Sequence, residues 1–261
     1  MKGAAPTLRF SSRADNYARF RPGYPAAALE HLSRLCGLGR GSLLAEIGSG
    51  TGLLTRQLLD LGCEVLAVEP NREMREAAEQ MLAGRARFAS VAAAAKATGL
   101  PDSSVEFVVA AQAFHWFDRA RAREEFCRIL KPHGWVVLLW NYRKLDTTAF
   151  LRGYEALLRR HCPDYAEILD RDLHRRQVEE FFAGKMALAT FDNVQHFDWE
   201  GLEGRHLSQS FVSQEGPGFE PMMRELRELF DANRENGRID FEYETRLYCG
   251  QLPPRAPPSP G

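Results

Sequence analysis

The sequence has no apolar run approaching the ~18 residues that a membrane-spanning helix needs. The stretch Met1 to Phe10 has no apolar core of a secretory leader. Cysteine is scarce and scattered. Cys36, Cys63, Cys127, Cys162 and Cys249 form no C-x-x-C pair, which argues against a zinc site or a disulfide framework. They read as reduced thiols of a cytoplasmic protein. Neither sign of charge dominates: 34 basic and 35 acidic residues leave a formal net charge of -1. No global field therefore favours nucleic acid or an acidic membrane. There is no internal repeat and no cluster with metal-ligand spacing, so no metal is predicted.

What is present is an apolar core in waiting. Of 261 residues, 44% are hydrophobic, enough for one large domain. Short apolar runs at Leu43–Ile47, Val65–Val68, Arg87–Val91, Val105–Ala111 and Trp135–Trp140 read as strands. Helical patterns alternate with them, at Leu53–Leu61, Arg72–Leu82 and Ala120–Leu130. That alternation predicts a parallel sheet covered by helices on both faces. The turn Lys131-Pro132-His133-Gly134 precedes the fifth strand, and His133 falls where a positive φ is often needed.

After Trp140 the rhythm changes. Thr147–His161, His174–Phe182 and Glu220–Asn233 read as amphipathic helices, Ala187–Trp199 holds one strand, and Ile239–Tyr248 is the last. The expected organisation is a single domain over residues 1–252. Within it lie an N-terminal cover (10–36), a ligand-binding core (37–141), a helical insertion or lid with a late strand (142–236) and a final strand (237–252). The proline-rich tail 253–261 is expected to be disordered.

The most informative stretch is LLAEIGSGTGLLTRQLLDLGCEVLAVEPN, from Leu43 to Asn71. Gly48, Gly50 and Gly52 sit between a strand and a helix, where bare backbone lets a ligand approach free N–H groups. Glu69 ends the next strand, placed to accept hydrogen bonds from a ribose diol. The G-x-G-x-G spacing is not the G-x-G-x-x-G of dinucleotide sites, and the G-K-[ST] of a P-loop is absent.

AEIGSGTG followed by VLAVEPN resembles the class I S-adenosylmethionine (SAM)-dependent methyltransferase family, of the methyltransferase type 11 kind. LPDSSVEFVVAAQAFHWFD and RILKPHGWVVLLWN resemble that family's fourth-strand motif and its turn into the fifth strand. FSSRADNYARFRPGYP is similar to a small-molecule subgroup that includes trans-aconitate methyltransferase-like proteins. The resemblance implies an α/β, Rossmann-like sheet of seven strands whose last runs antiparallel, with SAM as cofactor and S-adenosylhomocysteine (SAH) as product. It implies that Glu46, Gly48, Ser49 and Gly50 flank the methionine part, with Gly52 completing the loop. Glu69 would hold the ribose, Pro70 and Asn71 lie by the adenine, and Gln112 sit near the sulfonium. Arg21 would pair with the SAM carboxylate while Tyr17 and Tyr24 close over the ligand. One departure stands out: VAAAAKATGLP offers no acidic residue to read the adenine amino group, only alanines and Lys96.

Methyl transfer from a sulfonium is an in-line displacement from an activated donor, so positioning and desolvation dominate. A base is needed only where the acceptor carries its proton into the reaction. His115 is the candidate base, against a histidine that is packed and merely orients its loop. Phe114 and Trp116 wall the acceptor pocket or belong to the core, and one of Trp140, Asn141 and Tyr142 faces that pocket. Tyr142 and Arg205 complete the candidate acceptor set. Arg205 is either a bidentate clamp for an acceptor carboxylate or a lid salt bridge. The expected activity is transfer to a small organic acceptor, by analogy O-methylation of a carboxylate or hydroxyl, without nucleic acid or a membrane span. Methylation of RNA or protein, or SAM binding without catalysis in a regulatory role, are the alternatives.

Overall fold

The computed structural model describes residues 19–163, 165, 171–209 and 211–252. Tyr17, the first part of the expected cover and the tail 253–261 lie outside the described residues. The chain runs α1 (Ala26–Cys36), β1 (Leu43–Ile47), α2 (Leu53–Asp60), β2 (Glu64–Val68), α3 (Arg72–Met81), β3 (Phe88–Val91) and β4 (Val105–Ala111). A short 3-10 turn at Phe114–Trp116 leads to α4 (Arg119–Ile129) and β5 (Leu130–Arg143). Then come α5 (Ala149–His161), α6 (Arg171–Phe181), β6 (Ala187–Phe197), α7 (Trp199–Leu207), α8 (Phe219–Asn233) and β7 (Ile239–Gly250).

All seven strands form one sheet in the order β3-β2-β1-β4-β5-β7-β6. β1 pairs in parallel with both β2 and β4, whereas β7 is antiparallel to both β5 and β6. This is the expected Rossmann-like sheet with its last strand reversed. The order turns at β1 and β4, and a ligand crevice opens at the carboxyl ends beside such a switch point. Apolar residues pack on both faces. Leu29, Leu32, Leu54 and Leu58 meet Val65 and Val109 on one side, and Phe126 and Ile129 meet Val108 and Leu138 on the other. The insertion has its own core, in which Tyr154, Leu157, Leu202, Leu226 and Phe230 pack on Phe241.

The structure departs from the expected pattern in two places. The turn at Lys131–Gly134 does not precede β5 but lies within it. Val105 pairs with Leu130 and Phe107 with Trp135, so four residues bulge out of the ladder. His133 there has φ 65°, the positive value expected of it. The second departure is α7, which the sequence pattern missed. Gly201 and Gly204 depress helix propensity, yet Asp198 caps the helix by accepting from the Gly201 N–H at 2.9 Å. Gly204 is required by contact: a Cβ there would lie 2.1 Å from a ring carbon of Phe20. Gly204→Val should therefore cost about 1–3 kcal/mol through overpacking, read as a lower urea midpoint. A midpoint equal to wild type would show that α7 does not depend on this seat.

Candidate functional site

The turn from β1 into α2 is built on hydrogen bonds to the neighbouring strand. The N–H groups of Gly48 and Ser49 both reach the Val68 carbonyl, at 2.8 and 3.3 Å. Gly48 has φ 71°, and a Cβ there would fall 2.6 Å from that of Ala113. Only glycine satisfies both constraints. Glu69, just past β2, accepts from the Gly50 N–H at 2.9 Å through one oxygen and from the Asn71 N–H at 2.8 Å through the other. Asn71 in turn caps α3 by accepting from the Met74 N–H at 2.9 Å. Burial raises the Glu69 carboxyl above its ordinary pKa, and the two backbone donors work against that rise.

Glu46, one residue before the end of β1, has only 2% of its surface exposed. One of its oxygens accepts a 2.6 Å hydrogen bond from the Thr55 hydroxyl on α2. Burial pushes its carboxyl up to about 8, the Thr55 bond opposes this, and the neighbouring Glu69 charge adds to it. At the end of β4, Gln112 is held at φ 54°. Its amide nitrogen donates to the Asn141 carbonyl at 3.0 Å.

A strap of chain, residues 20–25, crosses this edge and is held by side-chain amides. Gln57 bonds Tyr24 twice, accepting from its N–H at 2.9 Å and donating to its carbonyl at 2.7 Å. Asn141 and Asn193 both donate to the Gly23 carbonyl, at 3.0 and 2.9 Å. Gln195 donates to the Phe20 carbonyl at 3.2 Å.

These elements enclose a cavity of about 510 Å³. Of the expected residues, Arg21, Tyr24, Glu46, Gly48, Ser49, Gly50, Glu69, Pro70, Asn71, Gln112, Trp116 and Arg205 line it. Of the three residues at the end of β5, it is Asn141 that lines it. Arg21 donates to the Ser208 carbonyl at 3.1 Å. Arg205 is 5% exposed; its Nε donates to the Tyr243 hydroxyl at 3.0 Å and its guanidinium lies over the Phe241 ring.

Four expected residues do not line the cavity. Gly52 starts α2 at φ 81°, and a Cβ there would meet Leu82, Met81 and Ala78, so it serves helix packing. Phe114 is in the core, edge-on to Trp140 and Phe181. The Tyr142 hydroxyl instead meets Nδ1 of His174, 3.3 Å away. His115 is stacked on His174 with ring centroids 5.5 Å apart. Burial, then His174 and Arg21, hold its pKa down to about 3, so the ring is neutral near pH 7.

Sequence reasoning missed several lining residues, among them Thr51, Met74, Phe117 and Asp118. Asp118 carried a usable signal. It is an aspartate immediately before a helical pattern, and it caps α4 by accepting from the Arg121 N–H at 3.2 Å. It supplies the cavity with a carboxylate that the alanine-rich segment after β3 lacks. Thr51 is more telling, because its Oγ1 is buried at the cavity and makes no hydrogen bond among the described residues. Buried hydroxyls are nearly always satisfied, so this one points to a ligand or a water.

Residues 45–138 match the family model described as a methyltransferase domain. Over this stretch the chain is similar to methyltransferases. It is 39% identical over 137 residues to an uncharacterized methyltransferase of Mycobacterium tuberculosis. That alignment covers 52% of this chain and 54% of the relative, so the chain spans about half the length of such curated relatives. The fold is similar to that of a provisionally assigned type II methyltransferase from Anaeromyxobacter dehalogenans. The TM-score is 0.64 at 20% identity, over 90% of this chain and 100% of that one. It is also similar to phosphoethanolamine N-methyltransferase 2 of Haemonchus contortus, solved with phosphomonomethylethanolamine and SAH. There the TM-score is 0.52 at 15% identity, over 93% of this chain and 57% of the other.

The buried histidine gives a direct test of this domain's electrostatics. The His115 ring resonances should stay flat in NMR between about pH 5 and 8, because a group held near 3 does not titrate there. The folded pKa lies below the unfolded one, so His115 also predicts stability that falls as pH drops below 6.5. A ring that titrates near 6.5 would place His115 in contact with water.

Proposed function

We propose that this protein is a SAM-dependent methyltransferase acting on a small organic acceptor. The observation that carries this reading is the cavity at the carboxyl edge of β1, β2 and β4, with Glu69 and the glycine turn at one part and Arg21, Asn141 and Arg205 at another. Its volume lies within the ~300–1,000 Å³ usual for small-molecule sites. The residues fit the cofactor. Glu69 uses one acceptor position on each oxygen for the backbone and retains others for a ribose diol. The Thr51 hydroxyl has no hydrogen-bond partner among the described residues. Ala94, Ala95 and Lys96 offer backbone and alkyl surface to a purine, and Asp118 an acceptor.

When bound, SAM supplies the methyl group as an activated sulfonium. The protein's part is to bind, orient and keep water out. Glu46, Ser49 and Gln112 surround the amino-acid end. Trp116, 39% exposed, offers an aromatic wall at the mouth for the acceptor. Arg205 is the acceptor clamp in this reading, its planar fork fixed by Tyr243 and suited to a carboxylate. O-methylation of a carboxylate or hydroxyl is the chemistry of this reading, carried over by analogy with the resembled subgroup. His115, neutral and outside the cavity lining, acts by orienting the loop between Gln112 and Trp116. The protein is read as one domain to residue 252. Residence in the cytoplasm is part of the same reading, resting on five free cysteines; among the described residues no helix is long and apolar enough to cross a membrane.

The deciding experiment is transfer of labelled methyl from SAM into a cell extract fractionated by size. Label in the small-molecule fraction supports the reading, whereas label in RNA or protein overturns the acceptor class. Glu69→Ala should weaken SAM binding by ~2–3 kcal/mol, the scale of hydrogen bonds to a charged group; unchanged affinity would show that Glu69 does not hold the ribose. With an acidic acceptor in hand, Arg205→Lys should raise its KM while SAM affinity stays put, since lysine cannot form the bidentate fork. An unchanged KM would remove the clamp.

A further inference from the structure

Glu46 is an unusual group for a site that binds a cation. It is fully buried, it lines the cavity, and its partner on α2 is the neutral Thr55 hydroxyl at 2.6 Å. The charged groups around it come from every wall. Glu69 past β2 adds like charge. Arg21 of the strap is turned to the Ser208 carbonyl, and Arg205 of α7 to the Tyr243 hydroxyl. Lys96 and Asp118 complete the charged lining. A carboxyl this deep, beside a second carboxylate, is disfavoured as an anion until a cation reaches it.

We propose that Glu46 is a neutral carboxylic acid in the cofactor-free protein and gives up its proton when a ligand cation arrives at the methionine end of the cavity. The inference rests on the SAM reading above. Binding then exchanges one proton for one cation. The carboxyl O–H bond breaks, the proton passes to the buffer, and the carboxylate pairs with the ligand without any covalent step. Affinity for SAM is therefore weaker in acid and climbs with pH until Glu46 ionises without help. Burial holding the carboxyl up to about 8 places neutral pH on the rising limb.

Two cations could be the partner, the α-ammonium shared by SAM and SAH or the sulfonium that SAM alone carries. The test is isothermal titration calorimetry near pH 7 with each ligand, in phosphate and in imidazole, whose ionisation enthalpies differ. Wild type should release close to one proton on binding SAM, and affinity should rise up to about tenfold per pH unit on the acidic side. Release with SAH as well identifies the ammonium, and release with SAM alone the sulfonium; either supports the exchange. Glu46→Gln, nearly isosteric, should abolish that release and flatten the pH profile. Thr55→Val keeps the glutamate but removes a donor that favours its charged form, so the pH at which release fades should move upward. Tight SAM binding without buffer dependence, release that survives Glu46→Gln, or an unmoved profile in Thr55→Val would overturn the proposal. Failure of the folded protein to bind either ligand would sink the SAM reading and the proposal with it.

Discussion

The Glu69 carboxylate accepts one hydrogen bond from the Gly50 N–H and one from the Asn71 N–H, and so joins the two turns that form the cavity floor. Each turn by itself is a short loop at a strand end. Gly48 and Gly50 both have positive φ, and Asn71 is still extended, at φ -77° and ψ 122°, directly before α3 begins. A charged acceptor shared between them fixes the spacing of β1 and β2 where no ladder bond remains to do so. Charge-assisted bonds of this kind are roughly twice as strong as neutral ones. The binding surface is thus largely preformed before any ligand arrives, which lowers the ordering cost of binding.

The roof depends on weaker, neutral bonds. Gln57 of α2, Asn141 of β5, and Asn193 and Gln195 of β6 hold the strap 20–25 by its backbone. Asn141 is the hub. It donates to Gly23, accepts from Thr245 and Asn193, and its carbonyl receives the Gln112 amide. The strap, the end of β5 and the loop after β4 therefore move or stay together. Neutral amide bonds contribute about 0.5–1.5 kcal/mol each, enough to seat the strap collectively and little enough for it to open on a thermal timescale.

Much of this was legible in the sequence because it rests on short-range rules. The first five strands, their helices, the glycine turn and Glu69 follow from periodicity and from backbone chemistry within a few residues. The positive φ of His133 followed from the turn sequence alone. What was not legible depends on contacts across the fold. Helix α7 was hidden because Gly204 is chosen for the Phe20 ring and not for helix propensity. The motif AFHW does not reveal that Phe114 points into the core, since three consecutive residues in a 3-10 turn face three directions. Asp118 was readable as a helix cap, but only the fold shows that the cap also faces the cavity.

The insertion between β5 and β7 is interrupted by β6, whose pairing in the sheet is with β7 alone. That edge strand does not split the insertion: α5, from before it, packs against α8, from after it, while α6 packs with α4 on the other core. The family match ends at residue 138, before α5, α6, α7 or α8 begins. Under the proposed function, nucleoside recognition is therefore written before that point and the acceptor clamp after it. Because α5, α7 and α8 share one core on Phe241, a new acceptor preference would come by exchanging that insertion as a unit. Its specificity is in this sense a replaceable cartridge on a fixed mount.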